Sequence, residues 1–157
     1  MKMKVVPIQE IDIRKYGRFY YLDCAAKRGD GWESTISSEE IMNSPCHIGL
    51  VRSQSIPISI SSLERHITTK EVMITTTTEV VVALATTDVD DSTVAPHINQ
   101  VECISLPAGS ILIINERIWH SACYGLTENA LYYFIYSKTD EPVIWTKIKG
   151  GVCEITV

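Results

Sequence analysis

The sequence lacks the features that bind nucleic acids or cross membranes. Its 157 residues include 14 Lys and Arg against 19 Asp and Glu, which gives a formal net charge of −5. No basic cluster is present to neutralise phosphates, so a nucleic-acid surface is not expected. No run reaches the roughly 18 apolar residues of a membrane span, and the basic N-terminus has no apolar signal segment behind it. We expect a cytoplasmic protein without nucleic-acid or membrane partners.

Paired cysteines and common catalytic signatures are also missing. The five cysteines are scattered and form no C-x-x-C pair, so we expect reduced and mostly buried thiols instead of a zinc or redox motif. There is no G-x-S-x-G, Walker, G-x-G-x-x-G or H-E-x-x-H motif. These absences give no support to the enzyme classes that use such motifs.

Helix signals are few, and strand signals dominate. Residues 8–16 and 37–43 could each form a short helix, and residues 86–96 have the composition of a polar loop. Segments rich in β-branched or aromatic residues predict strands at 17–24, 46–61, 71–85, 110–115 and 130–137. The length suits one domain, and no helix is long enough for the repeated crossovers of a parallel sheet. We therefore predict a single all-β domain over residues 1–157, an antiparallel sandwich or barrel with one or two short helices.

The segment LERHITTKEVMI places a histidine and two glutamates at the start of a run rich in Thr and Val. Ser61 and Glu64 match a capping box, which would favour a helix. The residues that follow are poor helix formers, so we favour a strand.

On such a strand, Glu64 and His66 share one face, while Arg65 points the other way and is expected at the surface. Glu71 is an odd number of positions beyond His66 and would face away from it. A turn or bulge at residues 67–70 would bring Glu71 back to the same side, and we predict that it does.

A second histidine closes the segment PAGSILIINERIWH. Pro107 and Gly109 break the chain, a short apolar strand follows, and His120 ends the segment. Two strands that carry histidines at their ends, on facing sides of a barrel, could bring imidazole and carboxylate groups to one interior point.

The order and spacing of His66, Glu71, Gly109 and His120 resemble the two motifs of the cupin superfamily. The resemblance implies a small β-barrel, the double-stranded β-helix or jelly roll. It also implies a divalent metal held by His66, Glu71 and His120, with Glu64 as an acidic fourth ligand in the position of the first histidine of the motif.

Within that superfamily the chain looks like the ureidoglycolate lyase family. The shared features are an Arg-containing strand with Arg52, the Leu-Glu-Arg-His segment, the valine-rich strand, DDST and the Trp-His pair, in that order over roughly residues 47–137. The resemblance implies cleavage of ureidoglycolate to glyoxylate and urea in purine degradation. It also implies nickel or manganese as the metal, with zinc or iron as alternatives, and a homodimer.

Cleavage of ureidoglycolate needs a base for its hydroxyl proton, an acid for the departing nitrogen and a cation for its carboxylate. The resemblance implies catalytic roles for Glu64, His66 and His120, with Glu64 as a proton shuttle if it is not a metal ligand. Arg52 matches the strand arginine of the family and would hold the substrate carboxylate with its bidentate guanidinium.

The chain departs from the family pattern at several positions. Glu71 replaces a usual Gln, Met73 and Thr75 replace an aromatic residue and a proline, and Ser121 and Ala122 replace a His and a Pro. Two alternatives therefore stay open: a cupin-like module that binds a small carboxylate or sugar without turnover, and a metal-dependent isomerase or dioxygenase on the same barrel.

Overall fold

The computed structural model describes residues 1–22, 27–37, 41–42, 44–87 and 94–156. In this part of the chain the regular structure is almost entirely strand, with three short 3-10 helices at Ile8–Glu10, Ile13–Lys15 and Ile98–Gln100. The strands in chain order are β1 Lys2–Met3, β2 Val5–Pro7, β3 Gly17–Tyr20, β4 Lys27–Gly29, β5 Trp32–Ser34, β6 Cys46–Ser53, β7 Ile58–Ile60, β8 Ser62–Arg65, β9 Glu71–Thr75, β10 Val80–Ala85, β11 Val101–Leu106, β12 Ile111–Ile114, β13 Trp119–His120, β14 Tyr124–Gly125, β15 Ala130–Ser137, β16 Ile144–Lys147 and β17 Cys153–Ile155. The prediction of an all-β fold is confirmed.

Two sheets form the body of the molecule and face each other. The seven-stranded sheet has the order β16-β8-β13-β10-β11-β2, with β14 paired to β10, and the five-stranded sheet has the order β3-β12-β9-β15-β6. A three-stranded sheet, β1-β17-β7, and the hairpin β4-β5 complete the set within the described ranges. Strand pairing in the two large sheets is antiparallel except where β2 joins β11.

Apolar residues fill two layers, one on each side of the seven-stranded sheet. The interior cluster lies between the two large sheets, and the outer cluster lies between the seven-stranded and three-stranded sheets. Strand β10 contributes to both, because Val82 and Leu84 face the interior while Val81 and Ala83 face the outer cluster. Its continuous apolar sequence, VVVALA, is what a strand covered on both faces requires.

Two predicted strands are each divided in the structure. Residues 46–61 form β6 and β7, and residues 71–85 form β9 and β10, which lie in different large sheets. The division arises because the chain crosses from one facing sheet to the other at residues 76–79. Strands β11 and β16 are not predicted, since their sequences VECISL and IWTK are short and mix charged with apolar residues.

The predicted helices are less regular than expected. Residues 8–16 contain two separate 3-10 helices instead of two α-helical turns, and Asp12 caps the second by accepting from the backbone N–H of Arg14. Of the second predicted helix, residues 38–40 and 43 lie outside the described residues, as do residues 88–93 of the predicted polar loop. No helix within the described ranges is long and apolar enough to cross a membrane.

The surface position expected for Arg65 is wrong. Its side chain points away from Glu64, as predicted, but the residue is only 2% exposed. The guanidinium carbon lies 4.4 Å from the centroid of a Trp119 ring, and Trp119 belongs to the outer cluster. The alternation is right, but the face opposite to Glu64 is itself covered.

Candidate metal centre

Four ionisable side chains from both large sheets meet at one point of the interior. Glu64 in β8 and His120 in β13 lie directly opposite each other in the seven-stranded sheet. Opposite residues of an antiparallel pair project to the same face, which here is the interior face shared with Leu84. Glu71 begins β9 in the five-stranded sheet, and His66 lies in the connection between β8 and β9. The connection between the two facing sheets therefore contains His66 and leads directly into Glu71.

The connection turns Glu71 inward. Along an uninterrupted strand Glu71 would face away from His66, but β8 ends at Arg65 and the chain crosses to the other sheet. The carbonyl of His66 accepts a 2.7 Å hydrogen bond from the backbone N–H of Arg117, and the hydroxyl of Thr69 accepts one from the N–H of Ser137 at 3.0 Å. Held in this way, Glu71 is 7% exposed and faces the interior.

The donor atoms lie close together. Glu71 Oε2 is 2.7 Å from His66 Nε2 and 3.3 Å from His120 Nε2. Glu64 Oε1 is 4.0 Å from His120 Nε2, which is beyond hydrogen-bond distance. The ligand atoms of Glu64, His66 and His120 all lie within 4.8 Å of one another. Glu71 therefore contacts both imidazoles directly, and Glu64 completes the group from the other sheet.

A backbone contact orients His120. Its Nδ1 lies 3.0 Å from the carbonyl oxygen of Ile118, so the N–H on Nδ1 donates to that carbonyl. In the neutral ring this leaves the lone pair on Nε2, the atom that faces Glu71 and His66. A histidine whose second nitrogen is held by a carbonyl is the usual arrangement for a metal ligand.

The charges of the cluster influence one another. Burial alone would raise the pKa of Glu71, but hydrogen bonds from His120 and His66 outweigh it and lower this pKa to about 2. Burial alone would lower the pKa of His120, but the hydrogen bond to Glu71 and the negative charges of Glu71 and Glu64 raise it. Burial raises the pKa of Glu64. Without a metal the cluster holds an anionic Glu71 between two imidazoles.

These residues fit a divalent metal ion. Bonds of roughly 2.0–2.2 Å in tetrahedral geometry place neighbouring donors about 3.3–3.6 Å apart, and the observed separations of 2.7, 3.3 and 4.0 Å bracket that range. Cys123 adds no thiolate, because it is buried, its Sγ contacts Met73 Sδ, and burial raises its pKa. An imidazole and carboxylate donor set suits nickel, manganese, iron or zinc.

Comparison with solved structures supports the fold class that the sequence predicts. No protein-family model and no curated protein matches the chain. Among solved structures it is similar to a dTDP sugar isomerase from Desulfovibrio desulfuricans G20, with a TM-score of 0.56 and 11% identity over 85% of each chain. The fold is cupin-like. Peruvianin-I, a cysteine peptidase from Thevetia peruviana latex, is also similar, with a TM-score of 0.48 and 15% identity over 66% of this chain and 57% of that one.

The cupin-like barrel encloses a pocket beside the candidate ligands. It is a cavity of about 280 Å³ that includes Glu64, His66 and Glu71 in its wall. Its remaining wall is mostly apolar and consists of Val51, Ala122, Tyr132, Phe134, Tyr136 and Val143. Sites for small molecules commonly have this form, with a few converging polar groups in an apolar cavity.

Arg52 does not line this pocket. It is paired with Leu131 in the antiparallel register of β6 and β15, and it is exposed. Its neighbour Val51 lines the pocket, and adjacent strand residues point to opposite faces. Arg52 therefore lies on the outer face of the five-stranded sheet. This finding corrects the expectation that Arg52 holds a substrate carboxylate.

The departures from the lyase pattern have structural roles in this chain. The hydroxyl of Ser121 accepts from the N–H of Ala83 at 3.0 Å and donates to the carbonyl of Ala122 at 2.7 Å. Met73 packs in the interior cluster, and the hydroxyl of Thr75 donates to the carbonyl of Pro107 at 2.8 Å. None of these three residues supplies a donor to the ligand group.

The aromatic wall of the pocket is not among the site residues predicted from the sequence. Tyr132, Phe134 and Tyr136 are alternate residues of β15, so they share its inward face. The segment ALYYFIYS is predicted as a strand. Aromatic residues at every second position of that strand indicate that one of its faces is aromatic. Which face turns inward depends on the register with β9, where Tyr136 lies opposite Glu71.

Proposed function

We propose that this cupin-like protein is a metal-dependent enzyme that performs proton-transfer chemistry on a small molecule, with the carbon–nitrogen lyase reaction as its reaction class. The observation that carries the proposal is the convergence of Glu64, His66, Glu71 and His120 on one point, where the first three line an otherwise apolar pocket. Buried ionisable groups of this kind are costly unless they bind something or one another.

Glu71, His66 and His120 would hold the metal. A divalent ion at this position would act as a Lewis acid and lower the pKa of a hydroxyl group on the bound molecule. The chain fixes the donors in advance, since the Ile118 carbonyl orients His120 and the turn after β8 fixes His66 beside Glu71. Such preorganisation reduces the cost of assembling the site when a ligand arrives.

Glu64 would move the proton in the reaction. It lines the pocket, its side chain is 18% exposed, and it lies 4.0 Å from His120 Nε2. Of the two carboxylates it is therefore the one that is not already hydrogen-bonded to the imidazole of His120. In a lyase reaction, Glu64 would remove the hydroxyl proton and return it to the departing nitrogen while the carbon–nitrogen bond breaks.

Ureidoglycolate is the first substrate to test, because the order of the Leu-Glu-Arg-His and Trp-His segments resembles the lyase family that acts on it. We would strip the protein with a chelator, reload it in turn with nickel, manganese, iron and zinc, and measure glyoxylate release. The variants are His66→Ala and His120→Ala. The matched control is His97→Asn, a histidine outside the pocket that accepts from the N–H of Asn99 at a helix N-cap, a role that asparagine also fills.

We expect release with one or more of these metals, retained in His97→Asn and reduced by at least about a hundredfold in the two alanine variants. Folded protein that takes up metal but releases no glyoxylate would contradict the lyase reaction with this substrate. Folded protein that takes up none of the four metals would contradict the metal-dependent activity itself and favour a binding module.

A further inference from the structure

The wall beside the metal donors is an array of aromatic rings along β15. The ring of Tyr136 stacks on the imidazole of His66, with centroids 5.3 Å apart and planes 22° apart. Phe134 stacks in turn on Tyr136, at 5.9 Å and 9°. Tyr132 continues the array along the same face of β15. A molecule bound at His66 would therefore have flat apolar surfaces beside it.

The backbone of β6 makes room for one of these rings. Gly49 lies directly opposite Phe134 in the antiparallel register, and a Cβ built on Gly49 would overlap the Phe134 ring. The ring therefore lies over the glycine. Any larger residue at Gly49 would push Phe134 out of its present position.

The described lining of the pocket contains no lysine or arginine. Arg52 lies on the outer face of the five-stranded sheet, and Arg65 stacks on Trp119 on the far side of the seven-stranded sheet. The hydroxyl of Tyr132 accepts from the backbone N–H of Cys123. An anionic group beyond the reach of the metal would thus enter an apolar cavity without a cationic partner, and this desolvation is costly.

The volume limits the size of the bound molecule. At about 280 Å³, the cavity lies just below the roughly 300–1,000 Å³ of sites for drug-sized ligands. It therefore suits a molecule with a metal-chelating group and a single ring or a short apolar chain.

We propose that the substrate is a small molecule with one metal-chelating end and a flat, uncharged apolar body, and that Phe134 and Tyr136 select that body. This inference rests on the proposed metal-dependent activity but not on ureidoglycolate as the substrate. Phe134 and Tyr136 would determine the specificity of the pocket, and they are separate from the metal donors.

Three hydroxamates, all with the same chelating group, test the proposal on metal-loaded protein. Acetohydroxamate carries a methyl group, benzohydroxamate a phenyl ring, and 4-carboxybenzohydroxamate the same ring with a carboxylate. Their dissociation constants would be measured by titration calorimetry, after the metal content of the protein has been determined. We expect benzohydroxamate to bind about tenfold more tightly than acetohydroxamate, and the added carboxylate to remove that gain.

Two variants of neighbouring residues in β15 distinguish an effect on the pocket from a general effect on the strand. Phe134→Ala should abolish the advantage of benzohydroxamate and leave metal content and acetohydroxamate binding unchanged. Tyr133→Ala, on the outer face of the same strand and 39% exposed, should leave all three dissociation constants unchanged.

Equal affinities for the methyl and phenyl compounds, or tighter binding of the carboxylated one, would overturn the proposed substrate class while the metal site stands. A benzohydroxamate advantage that survives Phe134→Ala would overturn the role of that ring. Protein that takes up no metal would overturn the proposed function and this inference together, which the metal determination shows before any hydroxamate is added.

Discussion

At the scale of single residues, Glu71 holds the site together. It is a buried carboxylate whose Oε2 contacts the Nε2 atoms of both His66 and His120. The same oxygen can either bond to a metal or keep two imidazoles aligned toward it. Its position in the interior depends on the turn that follows β8.

Glu71→Gln tests that role while the size of the side chain stays the same. The amide has no negative charge and offers a weaker ligand, so we expect metal affinity to fall by at least about 10–100-fold, because changing even a group that only supports a metal ligand has an effect of that size. Titration calorimetry with the reloading metal measures the change. Glu128→Gln, at an exposed position, is the matched control, and an unchanged affinity in Glu71→Gln would remove this residue from the site.

The pH dependence of metal binding follows from the same cluster. The pKa of His120 is raised in the metal-free protein by its hydrogen bond to Glu71 and by the two carboxylates, despite its burial. A metal needs the neutral ring, so protons compete with it up to a higher pH than for a free histidine, whose pKa is about 6.5. We expect the metal dissociation constant to rise about tenfold for each unit of pH below the raised pKa, if one proton is displaced.

Metal titrations between pH 5 and 8 would measure this slope. A dissociation constant that does not change with pH over that range would show that no histidine proton is displaced.

At the scale of strands and turns, the crossing from β8 to β9 brings the donors of the site together. Gly17 lets β3 pair at one edge of the five-stranded sheet. Gly17 lies opposite Ile114 at the start of β3. A Cβ built on it would overlap the carbonyl oxygen of Ile113. The glycine therefore permits β3 to approach β12, whereas the sequence suggests only that it ends a helix.

Gly17→Ala should separate β3 from β12 and destabilise the fold. Overpacking of this kind costs roughly 1–3 kcal/mol, and urea unfolding followed by circular dichroism measures it. Thr127→Ala, at an exposed turn position, should change the free energy of unfolding by less than about 0.5 kcal/mol. Equal stability of Gly17→Ala and the parent chain would show that β3 shifts without cost.

Many of the strands can be predicted from the sequence, and the features that cannot be predicted are missed for physical reasons. Local composition predicts β3, β6, β9, β10, β12 and β15, because β-branched and aromatic residues favour strands wherever they occur. It misses the division of residues 71–85 into two sheets, since a change of sheet depends on closure and not on composition. The burial of Arg65 is missed for a similar reason: alternation predicts its face correctly, but only the tertiary structure shows that the face is covered.

At the scale of the whole molecule, two facing sheets bring together residues that no local pattern connects. Glu64, His66, Glu71 and His120 can be nominated by the resemblance to cupin motifs. The fold places the donor atoms of Glu64, His66 and His120 within 4.8 Å of one another. The aromatic wall and the outward position of Arg52 depend on the register of β6, β9 and β15, which the sequence does not reveal. The sequence therefore predicts the donors better than it predicts what they bind.

The homodimer expected from the cupin resemblance stays a proposal. Strand β6 ends the five-stranded sheet, with Ile48 69% and Leu50 54% exposed, and edge strands of this kind can pair with a second copy. Sedimentation analysis should give twice the mass of one chain, and a monomer across the accessible concentration range would contradict the proposal.

The most direct measurement for the whole molecule is the metal content of chelator-stripped protein after reloading with nickel, manganese, iron or zinc, determined together with the binding affinity. We predict one ion per chain in the parent protein and in His97→Asn. In His66→Ala and His120→Ala, affinity should fall by more than about a hundredfold, because a lost ligand costs more than a lost supporting group. A folded parent protein that binds none of the four metals, or alanine variants that bind as tightly as the parent, would contradict the assignment of this cluster as a metal centre.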